Sequence, residues 1–237
     1  MSVLGIAVAL RAELASLTDR SIEPGVVTPL AESVLLVLSG MGAGRARSSG
    51  QLLMEQGATA LLGWGSAAAL HPALRPGTVM LPDAVIGVDG STIRIDADWH
   101  ERVRGRIERE MPLRVSPIAE TQGVLTGASD KLSLARKRGA VAADMESAAL
   151  GGFARDRNVP FLVIRAVADD SETGLPGWLL ATLDEQGRPR PAGLCAGLLS
   201  HPLDILHLAR LAHGFGAAAR SLRRVHACAG PQFLFQG

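Results

Sequence analysis

The sequence predicts an α/β fold: a single three-layer domain with a central twisted mixed β-sheet flanked by helices. Three observations predict it. Short apolar runs alternate with helical patterns as far as Asp169. No repeat, proline-rich linker or charge block divides the chain. Its 237 residues, 47% of them hydrophobic, suffice for one sizeable core.

The elements follow in order. VLGIAVAL reads as the first strand, and RAELASL continues it as a helix. SVLLVLSG is a second strand, with its helix through GRARSSGQLLMEQG. ATALLGWG is a third, before SAAAL. Residues 77–88 read as strand and 98–110 as a charged, exposed helix. GVLTG leads into SDKLSLARKRG, AVAAD into MESAALGGFARDRN, and FLVIRAV closes the series.

Beyond Asp169 the character changes. Gly, Pro and Leu dominate, and helical pieces are expected over 176–184, 191–199 and 202–225. Asp204 and Arg210 are the only charges between Arg190 and Arg220, too few for a solvated face. Core or subunit interface is the plainer reading, and a homo-oligomer is expected on that ground. The sharper reading is an apolar rim that takes a lipid-like ligand or makes peripheral contact with a membrane surface. The domain is expected to span residues 1–228. The last stretch, AGPQFLFQG (229–237), is apolar and unpatterned and reads as a flexible tail.

Composition excludes several classes. A formal net charge of +1 offers no electrostatic case for nucleic-acid binding. With no tyrosine and 3% aromatics, a stacking platform for single strands is not expected either. The basic residues are arginines apart from Lys131 and Lys137. Cys195 and Cys228 stand in no metal-ligand spacing, and the six histidines are scattered, so no metal site is expected. Two unclustered cysteines fit a reducing, cytoplasmic compartment. The N-terminus lacks a basic n-region and meets charge at Arg11 and Glu13, so it reads as a strand and not as a signal peptide. No uninterrupted apolar run is long enough for a transmembrane helix.

In open α/β sheets, ligands bind at the carboxyl ends of the strands. Glu13 follows the first strand there, Ser39-Gly40-Met41-Gly42 the second, Gly63-Trp64-Gly65-Ser66 the third and Asp169 the last. Glu13 in a first helical turn is favourable to the helix dipole whatever its role; it can also act as a general base on water. The turn SGMGAGRARSS offers backbone N–H groups to an anion, although it is neither a Walker A loop nor G-x-G-x-x-G. Arg45 and Arg47 read as surface arginines, one of which could reach a phosphate. GWGSAA does fit G-x-G-x-x-A, from Gly63 to Ala68, with Asp83 at the distance of the motif's acidic residue. A dinucleotide-binding oxidoreductase is therefore the rival class.

Asp144-Met145-Glu146-Ser147, followed by Arg165-Ala166-Val167-Ala168-Asp169, carries the sharper chemistry. Glu146 at a helix start can accept two hydrogen bonds from vicinal hydroxyls, as a ribose presents. Met145 can pack its thioether under the sugar or fill the core. Asp169 precedes Asp170-Ser171-Glu172, which reads as a helix N-cap. As a general acid beside a departing base, it needs a raised pKa.

These motifs, in this order over residues 5–169, resemble the nucleoside phosphorylase/nucleosidase family. The resemblance implies an enzyme that breaks the N-glycosidic bond of a purine ribonucleoside. It makes Glu13 the residue that activates water, Met145 and Glu146 the ribose site, and Asp169 the acid for the leaving purine. Ser39, Gly40, Gly42, Arg45 and Ser66 are assigned to phosphate or the nucleophile, and Gly65, Ala67 and Asp144 to the base. No cofactor is expected beyond inorganic phosphate as a co-substrate. The C-terminal stretch WLLATLDEQGRP is similar to that of the hopanoid-associated phosphorylases, which implies adenine release from a lipid-linked nucleoside, adenosylhopane. A methylthioadenosine/S-adenosylhomocysteine nucleosidase is the near alternative. Two departures bear on this. Gly63 stands where the phosphorylases tend to carry an arginine, and TGASDKL places Asp130 where nucleosidases have an aromatic near the base.

Overall fold

A computed structural model describes residues 2–174, 176–184 and 190–236. Residues 185–189, inside the stretch WLLATLDEQGRP, lie outside it. Strand β1 (Leu4–Val8) is buried along its whole length, as a continuous apolar run requires when helices cover both faces. It feeds the single-turn helix α1 (Arg11–Leu14). β2 (Thr28–Ala31) pairs antiparallel with β3 (Val34–Leu38) at the end of the sheet path, where Pro29 removes no interior ladder bond. Helix α2 (Ala43–Glu55) follows.

β4 (Ala60–Ala69) corrects one expectation. The sequence predicts a strand that ends in a Gly-rich turn within Gly63 to Ala68; the strand instead runs straight through it. β5 (Val79–Met80) and β6 (Ala84–Ile86) replace the single strand expected over 77–88, with Pro82 between them. β7 (Thr92–Arg94) closes a hairpin with β6. α3 (Ala97–Ile107) is capped by Asp96, whose carboxylate accepts from the Trp99 N–H at 2.8 Å. β8 (Leu113–Arg114) and β9 (Ile118–Glu120) precede α4 (Ala128–Arg138), so GVLTG is loop. β10 (Ala142–Asp144), α5 (Ser147–Asp156) and β11 (Phe161–Asp169) complete the α/β part. The helix start expected after Asp170 is instead a turn: its Oδ1 accepts from the N–H groups of Glu172 and Thr173. α6 (Gly177–Leu180), α7 (Pro191–Ser200) and α8 (Asp204–Ala229) occupy the three helical stretches read from the sequence.

The sheet is mixed, in the order β2-β3-β1-β4-β10-β9-β6-β7, with β11 on β4 and β5. β1, β3, β4 and β11 run parallel, so their carboxyl ends share one edge. Alternation along β11 makes the layers. Leu162, Ile164 and Ala166 join the core beneath α3 and α8, while Val163 and Val167 join the core beneath α2 and α5.

The tail expected over 229–237 is not free. Phe233 is fully buried against Trp64, with ring centroids 4.9 Å apart, and its carbonyl accepts from Trp99 Nε1 at 2.7 Å. Phe235 packs on Trp99 at 5.0 Å. Two aromatics anchor a segment too short to show any period.

Candidate active site

At the carboxyl edge of the parallel strands lies an open cavity of about 120 Å³. Glu13, Ser66, Ala67, Asp144, Met145, Glu146 and Asp169 all border it. The sequence assigned each of them to a site; the fold brings them together.

Glu13 is buried, and its carboxylate accepts hydrogen bonds from Leu10 and Ser66. Oε2 takes the Leu10 N–H at 3.0 Å; Oε1 takes both the Ser66 N–H at 2.7 Å and the Ser66 hydroxyl at 2.6 Å. Gly65 allows this approach. A Cβ there would meet Arg165 Nη1 at 2.5 Å and the Glu13 carboxyl carbon at 2.7 Å. Gly65 thus lies beneath the charged groups and not on the cavity wall.

Glu146 stands before α5 and reaches back to α2. Oε1 accepts from the Gly42 N–H at 2.7 Å and Oε2 from the Met145 N–H at 3.2 Å. Burial, reinforced by the Asp144 carboxylate, pushes its pKa up to about 7. Asp144 is tied to the buried Arg165 at 2.7 Å and to the Ser147 hydroxyl. Arg165 also donates to Ser147 Oγ at 3.0 Å.

Asp169 is aimed by an irregularity in its strand. The β4–β11 register shifts between Val167 and Asp169, and such bulges re-aim a side chain. Its carboxylate meets the ammonium of Lys131, which is fully buried on α4. Burial raises the Asp169 pKa, while the lysine acts in the opposite direction.

The groups assigned to phosphate are dispersed. Arg45 is exposed on α2 and is not among the residues bordering the cavity. Ser39 donates to the Val8 and Gly40 carbonyls at 3.0 and 2.8 Å. Arg47 is a surface arginine, 3.4 Å from Asp156. Asp83 is exposed, and the glycines of the dinucleotide pattern sit inside β4, which leaves that pattern without its phosphate turn. No group of three metal-ligating side chains occurs among the described residues.

Three contributors were missed. Arg165 opens the Arg165–Asp169 motif, and its residue type alone suggests no role there. Lys131 is one of two lysines in an arginine-rich chain, and that rarity is the signal its sequence context offers. Phe215 of α8 lines the cavity, an aromatic arriving from the stretch read as core, subunit interface or apolar rim, with no residue of it singled out. It gets there because Gly214 lets α8 touch the Ala168 carbonyl, where a Cβ would collide.

Fold and cavity together define a three-layer α/β protein with a carboxylate-rich small-molecule pocket at its strand ends. The sequence profile described as the Phosphorylase superfamily matches residues 25–200, and the chain belongs to that superfamily. A search of curated proteins gives no match. Among solved structures, the chain is similar to a 5′-methylthioadenosine/S-adenosylhomocysteine nucleosidase from Helicobacter pylori with butyl-thio-DADMe-Immucillin-A. The TM-score is 0.69 at 16% identity, over 96% of this chain and 98% of that one. An S-adenosylhomocysteine nucleosidase from Streptococcus pyogenes, in complex with 5-methylthiotubericidin, gives 0.68 at 19%, over 94% and 96%. The futalosine hydrolase of Helicobacter pylori gives 0.67 at 16%, over 95% and 97%.

Proposed function

We propose that this chain cleaves the N-glycosidic bond of an adenine ribonucleoside and uses water as the nucleophile. The observation that carries this is Glu13, held by Ser66 and Leu10 on the wall of the cavity that Glu146 and Asp169 also border. Ionised Glu146 accepts the ribose hydroxyls, with Met145 beneath the ring. Asp169 gives its proton to the purine as the C1′–N9 bond breaks, which leaves an oxocarbenium-like sugar. Glu13 takes a proton from the water that attacks C1′. Asp144 and Ala67, which border the same cavity, are assigned to the base in this reading. The products are adenine and a free sugar, and no cofactor takes part.

Phosphate is the weaker nucleophile here because its expected donors are engaged elsewhere. Both Ser66 donors point to Glu13, the Gly42 N–H points to Glu146, and Ser39 bonds to backbone carbonyls. The test is the sugar product made from methylthioadenosine with and without phosphate. Free sugar at equal rates supports hydrolysis; a sugar 1-phosphate that requires phosphate overturns it.

The structures similar to this chain include ones named for methylthioadenosine and S-adenosylhomocysteine. A second reading, a lipid-linked adenosine as in the hopanoid-associated subgroup, has its own support. Leu199, Leu203, Ile205 and Leu206 are exposed at the α7–α8 corner, and the same α8 carries Phe215 into the cavity. Each buried CH₂ contributes about 0.8 kcal/mol, so a long apolar 5′ group should outcompete methylthioadenosine if this reading holds. Equal or better use of methylthioadenosine refutes it and leaves the glycosidic chemistry intact.

A further inference from the structure

The cavity borders on four carboxylates, and the fold supplies two buried cations to them. Arg165 belongs to Asp144: its Nε lies 2.7 Å from Asp144 Oδ2. Lys131 belongs to Asp169. Its ammonium has three N–H donors, and three acceptors receive them: Asp169 Oδ2, the Asp170 carbonyl at 2.5 Å and the Thr173 carbonyl at 2.6 Å. All three acceptors follow the bulge that ends β11. The lysine itself is wholly buried, and an ammonium in such a place is costly unless each proton is matched.

Resting on the reading of Asp169 as the acid for the leaving base, we propose that Lys131 is its positioning residue. It holds Asp169 by Oδ2, so that Oδ1 is the oxygen that passes the proton to the base. A neutral tether could fix the 170–173 turn equally well. What a neutral side chain could not do is oppose the effect of burial on the acid. Burial favours the protonated carboxyl and Asp170 adds to this, whereas the ammonium favours the carboxylate. An acid held too firmly to its proton is a poor donor near neutrality. Other charged groups face Asp169 as well. His207 and Arg210 of α8 border the adjoining cleft, and Glu13 and Glu146 lie across the cavity.

The test is a ¹³C NMR titration of the aspartate carboxyls, with the Asp169 signal identified by its loss in Asp169→Asn, alongside rates of adenine release. In Lys131→Met, Asp169 should titrate about one unit or more higher than in the parent. Adenine release should fall about a hundredfold, as expected for a misplaced catalytic group. Lys131→Arg, which restores the charge, should recover most of both. If Lys131→Met does not fold, Lys131→Gln removes the charge and keeps a donor. An unmoved titration overturns the proposal, and so does full adenine release without the ammonium; Lys131 would then merely tie down a turn. Asp169→Asn separates this from failure of the site itself. It should lose about two decades in rate. Parental turnover in that variant would remove Asp169 from the mechanism, whatever Lys131 does.

Discussion

Glu146 and Glu120 are carboxylates that the fold holds near neutrality. Burial is the main cause in both, with Asp144 adding to it, and each pKa is pushed up to about 7 from 4.5. Between those values the folded chain keeps protons that the unfolded chain has lost. Stability therefore falls as pH rises through that window. Melting temperatures measured from about pH 5 to pH 8 should decline, and Glu120→Gln should flatten the slope. A flat profile in the parent would contradict this. Glu120 accepts the Ala149 N–H at 2.8 Å and does not border the cavity, so its replacement isolates the linkage from catalysis. Legibility at this scale has a physical limit. Glu13, Glu146 and Asp169 could be read because strand ends collect ligands whatever the details of packing. Their partners could not. Arg165, Lys131 and Ser66 meet the carboxylates only through strand register and helix approach, which no local pattern records.

At the scale of elements, continuous apolar runs announced β1, β3, β4 and β11, since strands covered on both faces have no polar side to alternate with. The strands β2, β7 and β8 were illegible because pairing, and not their own pattern, makes them strands. The C-terminal segment is the clearest case. Phe233 sits among Trp64, Leu162 and Ile164 in the core, although its neighbours show no helical or strand period. Phe233→Ala should cost about 3–5 kcal/mol, the usual range for a buried aromatic. That corresponds to a fall of roughly 10 °C in melting temperature for a chain of this size. An unchanged melting temperature would mean that the segment is not held as described.

For the whole molecule, α7 and α8 matter because they leave large apolar side chains exposed. No single helix among the described residues is long and apolar enough to cross a membrane; α7 and α8 qualify only as a pair bent by 113°. Leu199 and Leu203 are 85% and 89% exposed, and Ile205 and Leu206 are exposed close by in the chain. We expect a homo-oligomer, and light scattering at micromolar concentration should give a mass above that of one chain. A single-chain mass would contradict it. The placement of α8 also has a consequence for how the protein is made. β11 pairs with β4, which precedes it, yet the face carrying Leu162 and Ile164 shares its cover between α3 and α8, and α8 comes later in the chain. During translation α3 can cover only part of that aliphatic face, and the rest stays exposed until α8 leaves the ribosome. A chain interrupted between α7 and α8 would therefore present an open, sticky sheet and aggregate instead of persisting as a shortened but soluble protein.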